Sequence, residues 1–228
     1  MKRAIILSSL LLMLSSNVLF AGGKRESAGS GTASVSPVTV EATLTYLEGT
    51  VSVDGREALF GQPVSPGALI ETGRDSLCEL QFGGGNIMHI EEETLVRIDI
   101  GKELHSLDLE RGGVQAVFNR LTEVSGGKEF RLSSPTVAAG IRGTVFYIRV
   151  EDDSNTYLCT CYGTIAQGPA NGSSLTPVTA THHKAFRYTS VGEDFRTESA
   201  GLLYHDDAVM EALARKIGTE IDWGEGGY

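Results

Sequence analysis

The sequence predicts an all-β domain, a sandwich or a solenoid-like stack, closed by one C-terminal α-helix. Three observations carry this. Apolar and polar residues alternate in short runs, as in "VTVEATLTYLEGTVSVDG", the period-2 pattern of a half-buried strand. Gly- and Pro-rich turn signals separate the runs at close spacing, as in "FGQPVSPGALIETG" and "QFGGGNIMHI". No helical pattern stands between the strands, which argues against parallel α/β layering.

The chain has 228 residues. Its start, "MKRAIILSSLLLMLSSNVLFA", has basic Lys2 and Arg3, an apolar run from Ala4 to Leu14, and a small residue, Ala21. That is a secretory signal pattern, so residues 1–21 are expected to be cut off. Ser8, Ser9, Ser15, Ser16 and Asn17 interrupt the run. It falls short of the roughly 20 apolar residues of a membrane span, so no transmembrane span is expected after cleavage. No cysteine follows Ala21, which argues against a lipid anchor. Residues 22–37, "GGKRESAGSGTASVSP", have almost nothing to bury and read as a flexible linker.

From Val38 the alternation begins, and the β domain is expected over 38–190. Strands are read in "SLCELQF", "NIMHI", "TLVRIDI", "HSLDLERGGVQAVF", "EFRLSSPTVAAG" and "RGTVFYIRVEDDSNTYLCTCYGTIAQG". Residues 191–228 form a C-terminal extension. Within it, "HDDAVMEALARKIG" carries Ala208, Val209, Leu213 and Ile217 at helical spacing, predicting a helix over about 206–217. Asp206 or Asp207 suits its start, Arg215 and Lys216 its end, and Gly218 its stop.

The formal net charge is -10. Phosphate binding needs a basic face, so nucleic acid is not an expected partner, and neither is an anionic lipid surface. "GGGN" follows a strand but opens no helix, so it is not a phosphate loop. "EEE" at 91–93 reads as a solvated turn. No nucleophile-elbow sequence or paired carboxylates stand out, and the chain is expected not to be an enzyme.

Five features together resemble the FecR-like domain family, named for the periplasmic sensor of ferric-citrate signalling. They are Glu48-Gly49-Thr50-Val51, the loop from Gly67 to Gly73, the hairpin from Leu80 to Gly84, the segment "SPTVAAGIRGTVF" from Ser134 to Phe146, and Gly163. The resemblance covers roughly residues 40–168, and Arg142-Gly143-Thr144 is its most specific part. It implies a periplasmic, non-enzymatic β domain that binds an envelope protein or small ligand, in signalling or sensing. Regulators of this type place a cytoplasmic anti-sigma segment and a membrane span ahead of the domain. Here a signal peptide and linker precede it, so control of a sigma factor is not carried over. Arg142 is expected to act as a structural clasp, bonding backbone carbonyls or a carboxylate such as Asp99 or Glu110.

Of the three cysteines, Cys78 shares a face with Leu80 and Phe82 and is expected to be buried and free. Cys159 and Cys161 stand one residue apart. The family register puts Leu158 and Thr160 inward, which leaves the two cysteines with Tyr157 on the other face. A slip of one residue would reverse this. Residues i and i+2 of a strand have Cβ atoms about 6.5–7 Å apart, whereas a disulfide wants about 3.5–4.5 Å. A metal tolerates the spacing better, since each sulfur needs only to come within about 2.3 Å of a zinc. Further along, His182 and His183 are adjacent. On a strand they point to opposite faces, so one at most joins a strand-face site; from a loop both can. Three readings stay open: a metal site for zinc or iron on Cys159, Cys161, His182 and His183, a strained or redox-active thiol pair, and simple packing. His89, His105 and His205 are scattered and receive no role.

Overall fold

The computed structural model describes residues 41–101, 105–121 and 129–224. The expected signal peptide and the linker at 22–37 lie outside the described residues. Among the described residues, sixteen strands form one continuous hydrogen-bonded network. It divides into two layers. One runs β4 (Pro63–Val64), β1 (Ala42–Glu48), β6 (Leu77–Phe82), β7 (Asn86–Ile90), the second half of β9 (His105–Phe118), β12 (Val145–Asp152), the first half of β13 (Asn155–Pro169), β15 (Lys184–Val191) and β16 (Asp194–Ala200). The other runs β3 (Arg56–Glu57), β2 (Val51–Val53), β5 (Ala68–Thr72), β8 (Leu95–Ile100), the first half of β9, β10 (Phe130–Ser133), β11 (Val137–Ile141), the second half of β13, and β14 (Thr176–Ala180). The architecture is a sandwich, and among the described residues all pairings are antiparallel except β9 with β10.

β9 and β13 belong to both layers. Each changes partners at a glycine in the left-handed region, Gly112 (φ +83°) and Gly163 (φ +100°). A side chain at Gly112 would also collide with Thr94. These positions let a strand bend sharply enough to leave one sheet and enter the other. Gly163 therefore turns a strand that continues to Pro169, rather than ending it.

The main core lies between the layers. Leu44, Leu80, Ile90, Val114, Phe146, Ile148 and Leu158 from one sheet meet Ile70, Ile98, Leu107, Phe130, Leu132 and Ile141 from the other. Cys78, Leu80 and Phe82 are all buried there, and burial pushes the Cys78 thiol up to about 12. The sheet runs on to Ala200 through the β15–β16 hairpin, beyond the boundary expected near residue 190.

A second, separate apolar cluster covers the outer face of the first layer. It contains Ile87, Val117, Val145, Tyr147, Tyr157, Cys159, Cys161 and Ala185, roofed by Met210, Leu213 and Ala214. These last belong to α1 (Asp207–Arg215). Asp206 caps the helix by accepting from the Val209 amide at 2.9 Å, and Gly218 follows at φ +67°. Its buried face is Met210, Leu213 and Ala214 with Ile217 beside them, whereas Ala208 and Val209 are exposed. The spacing i, i+3, i+4, i+7 selects that stripe. The shift from the expected face follows from where the sheet's outer cluster lies. Among the described residues no helix is long and apolar enough to cross a membrane.

Candidate functional site

The outer cluster holds a polar knot. Strand alternation places it: Leu158 enters the main core while Tyr157, Cys159 and Cys161 point outward under α1. Both cysteines are fully buried, where the sequence left them on an open strand face. Their Sγ atoms are 3.7 Å apart and unbonded. Covering by the helix and the segment before it, which alternation alone cannot show, makes the difference.

His182 and His183 sit in the loop between β14 and β15. His183 takes a left-handed φ of +40°, and its amide donates to the Cys161 carbonyl at 2.8 Å. That backbone bond swings the His183 ring inward. Its Nδ1 lies 3.6 Å from Cys159 Sγ, and its Nε2 lies 2.7 Å from Asp207 Oδ1. His182 turns the other way. Its Nε2 lies 3.0 Å from both oxygens of Asp207, outside the sulfur cluster. Of the two expected histidines, the structure brings one to the sulfurs.

The other imidazole at the sulfurs is His205, which received no role from the sequence. It precedes α1, and its Nε2 reaches Cys161 Sγ at 3.3 Å and His183 Nδ1 at 3.3 Å. Its Nδ1 lies 2.8 Å from the Leu203 carbonyl. The ring stacks on Tyr147, centroids 4.6 Å apart and planes 5° from parallel. Trp223 stacks on His183 at 4.9 Å. One donor atom each from Cys159, Cys161, His183 and His205 lies within 4.8 Å of all the others, and all four residues are buried. This is a donor set able to hold a metal.

The electrostatics of the pair are asymmetric. Burial alone would raise both thiols. Hydrogen bonds from Cys161, His183 and His205 outweigh it at Cys159 and bring that thiol well below its ordinary value. Burial and the neighbouring Cys159 push Cys161 up. Burial lowers the His183 imidazole, but Cys159 and Asp207 prevail and raise it. The cluster thus favours one shared negative charge on sulfur.

A carboxylate supports the same wall. Glu91 accepts from Tyr147 Oη at 2.8 Å, Arg149 Nη1 at 2.9 Å and Gln115 Nε2 at 3.0 Å. The "EEE" turn is therefore not a solvated face throughout. Glu91 is an anchor for Tyr147, and through it for the ring against which His205 lies.

The Arg142-Gly143-Thr144 segment lies elsewhere, between β11 and β12. It lines an open cleft with Phe118, Asn119, Tyr162 and Ile221. Arg142 is not the clasp expected on Asp99 or Glu110. Its side chain is exposed, with Nε 3.8 Å from Glu129 Oε1. The reason is local: Ile141 is buried at the end of β11, so the next side chain turns outward. Gly143 sits at φ +102°, and a Cβ there would meet only the Phe118 carbonyl at an ordinary 3.5 Å. The strain of a side chain at Gly143 is thus in the backbone, not in contacts. Gly143→Val is expected to lower stability by about 1–3 kcal/mol. A denaturant melt with an unchanged midpoint would contradict this. At Gly140 a Cβ would first meet the Glu129 carboxyl, at 2.3 Å, but that is the end of a flexible, partly exposed side chain that can turn aside.

No curated protein matches the chain. Two crystal structures of a candidate anti-sigma factor from Parabacteroides distasonis are similar to it, each at 12% identity and with TM-scores of 0.46 and 0.47. Each alignment covers 57% of this chain and 59% of that one, so this chain spans somewhat more than half of that protein's length. The family model described as FecR protein matches residues 68–165, from β5 to the turn of β13 and across the Arg142-Gly143-Thr144 segment. Over those residues the chain is similar to the FecR protein family.

Proposed function

We propose that the chain is an exported, non-enzymatic FecR-type module that binds a partner or small ligand in the cell envelope and serves signalling or sensing. The observation that carries this is the FecR match over residues 68–165. The export pattern of residues 1–21 and the acidic balance agree with it. The surface offers a place to look for contact. Leu59 and Phe60, between β3 and β4, are 66% and 78% exposed, unusually open for adjacent large apolar side chains.

In-cell photo-crosslinking tests the reading. A photoreactive residue at Phe60 is expected to give a discrete adduct in the envelope fraction, and one at exposed Glu193 in the β15–β16 turn is not. A chain that stays in the cytoplasm with Met1 retained would overturn the proposal. So would an envelope chain with no discrete adduct at Phe60.

A further inference from the structure

Cys159, Cys161, His183 and His205 have the shape of a coordination sphere. Zinc–sulfur bonds of about 2.3 Å and zinc–nitrogen bonds of about 2.05 Å make a tetrahedron with edges of about 3.8 Å between sulfurs, about 3.6 Å from sulfur to nitrogen and about 3.3 Å between nitrogens. The distances here are 3.7 Å between the sulfurs, 3.6 and 3.3 Å from sulfur to nitrogen, and 3.3 Å between the nitrogens. Four edges agree within about 0.3 Å of that ideal.

The outer contacts agree independently. His205 uses Nδ1–H to donate to the Leu203 carbonyl, and His183 uses Nε2–H to donate to Asp207. With those protons placed, His205 Nε2 and His183 Nδ1 face each other with lone pairs, and both sulfurs stand beside them. With both rings neutral, two lone pairs at 3.3 Å in a buried cluster repel unless a proton or a metal cation lies between them. Carbonyl and carboxylate partners on the rear nitrogen are also what orient metal-binding histidines. Two thiolates balance one divalent cation, so the loaded site is neutral, the condition for burying it.

We propose that Cys159, Cys161, His183 and His205 form a tetrahedral site for a divalent transition metal of the zinc type. His205 takes the place that the sequence suggested for His182. The ligands come from three segments: β13, the β14–β15 loop, and the stretch before α1. The metal therefore fastens the C-terminal segment onto the sheet. Asp207 positions His183 from the first turn of α1, where the helix N-terminus favours its charge. Metal binding is independent of any partner contact at Phe60, and so can stand or fall separately from the function proposed above.

The test uses the full chain, reduced under inert gas and titrated with zinc against a chromophoric chelator. Cobalt(II) serves as the coloured probe. One ion per chain is expected, with cobalt giving the intense visible bands of a tetrahedral site and a sulfur-to-metal charge-transfer band. Asp207→Asn should weaken zinc by about 10–100-fold, as loss of an outer partner does, and His205→Ala by more. His182→Ala and Cys78→Ser should keep one ion per chain. Zinc should also raise the melting temperature of the wild-type chain, a readout that stands even if a ligand variant fails to fold. Failure of the reduced wild type to retain zinc would overturn the proposal. So would octahedral cobalt, no shift in melting temperature, or a folded His205→Ala chain that binds as tightly as wild type. A thiolate–imidazolium cluster without metal would give the first of these results.

Discussion

Phe118→Ala is expected to lower unfolding free energy by about 3–5 kcal/mol, the range for removing a buried aromatic ring. Phe118 ends β9 and is 2% exposed. Its ring meets Phe82, Phe130 and Phe146 edge-on, with centroids 5.4, 5.0 and 5.4 Å away. Phe82 and Phe146 belong to one layer and Phe130 to the other, so the ring is a joint between sheets. Its loss leaves a cavity that three rigid neighbours cannot fill, and it removes three edge-to-face contacts worth about 0.5–1.5 kcal/mol each. Denaturant unfolding is the measurement. Phe118→Leu, which keeps most of the volume, should cost clearly less; equal costs would show that the site collapses freely.

Glu91→Ala is the second large effect, expected to cost about 2–4 kcal/mol. The carboxylate accepts three side-chain hydrogen bonds, two of them from Tyr147 and Gln115, whose side chains are buried. Removing it strands those donors, and an unmet buried donor costs about 1–3 kcal/mol. Arg149 is one-third exposed on its side chain and can turn to water, so its share is small. Glu93→Ala should stay within about 0.5 kcal/mol, as expected of an exposed position. Equal melting midpoints for Glu91→Ala and Glu93→Ala would show that the Glu91 hub contributes nothing. Because Tyr147 backs His205, Glu91→Ala should also broaden the His205 ring resonances in NMR.

Much of the molecule was legible in the sequence because strands repeat every two residues. Alternation in "TYLCTC" determined that Cys159 and Cys161 share one face; the family resemblance, not the alternation, pointed that face away from the main core. Turn residues and short apolar runs determined the all-β class. Helical spacing and capping residues located α1 to within two residues. The Arg-Gly-Thr segment marked the FecR resemblance. Each of these signals is local, set by backbone geometry that a few neighbouring residues express.

The tertiary structure decided what local pattern cannot express. Two strands serve both sheets, because Gly112 and Gly163 allow a bend whose partners lie far away in sequence. Glu91 left the surface because Tyr147 and Arg149, on β12, arrive beside it. Arg142 faces Glu129 rather than Asp99 or Glu110, because burial of Ile141 sets its direction. His183 rather than His182 turned inward because a backbone bond to Cys161 selects one side of a loop, where no alternation holds. His205 stands 44 residues from Cys161 in a segment with no period of its own. Only the packing of α1 on the outer face of the sheet, driven by burial of Met210, Leu213 and Ala214, carries its imidazole to the sulfurs.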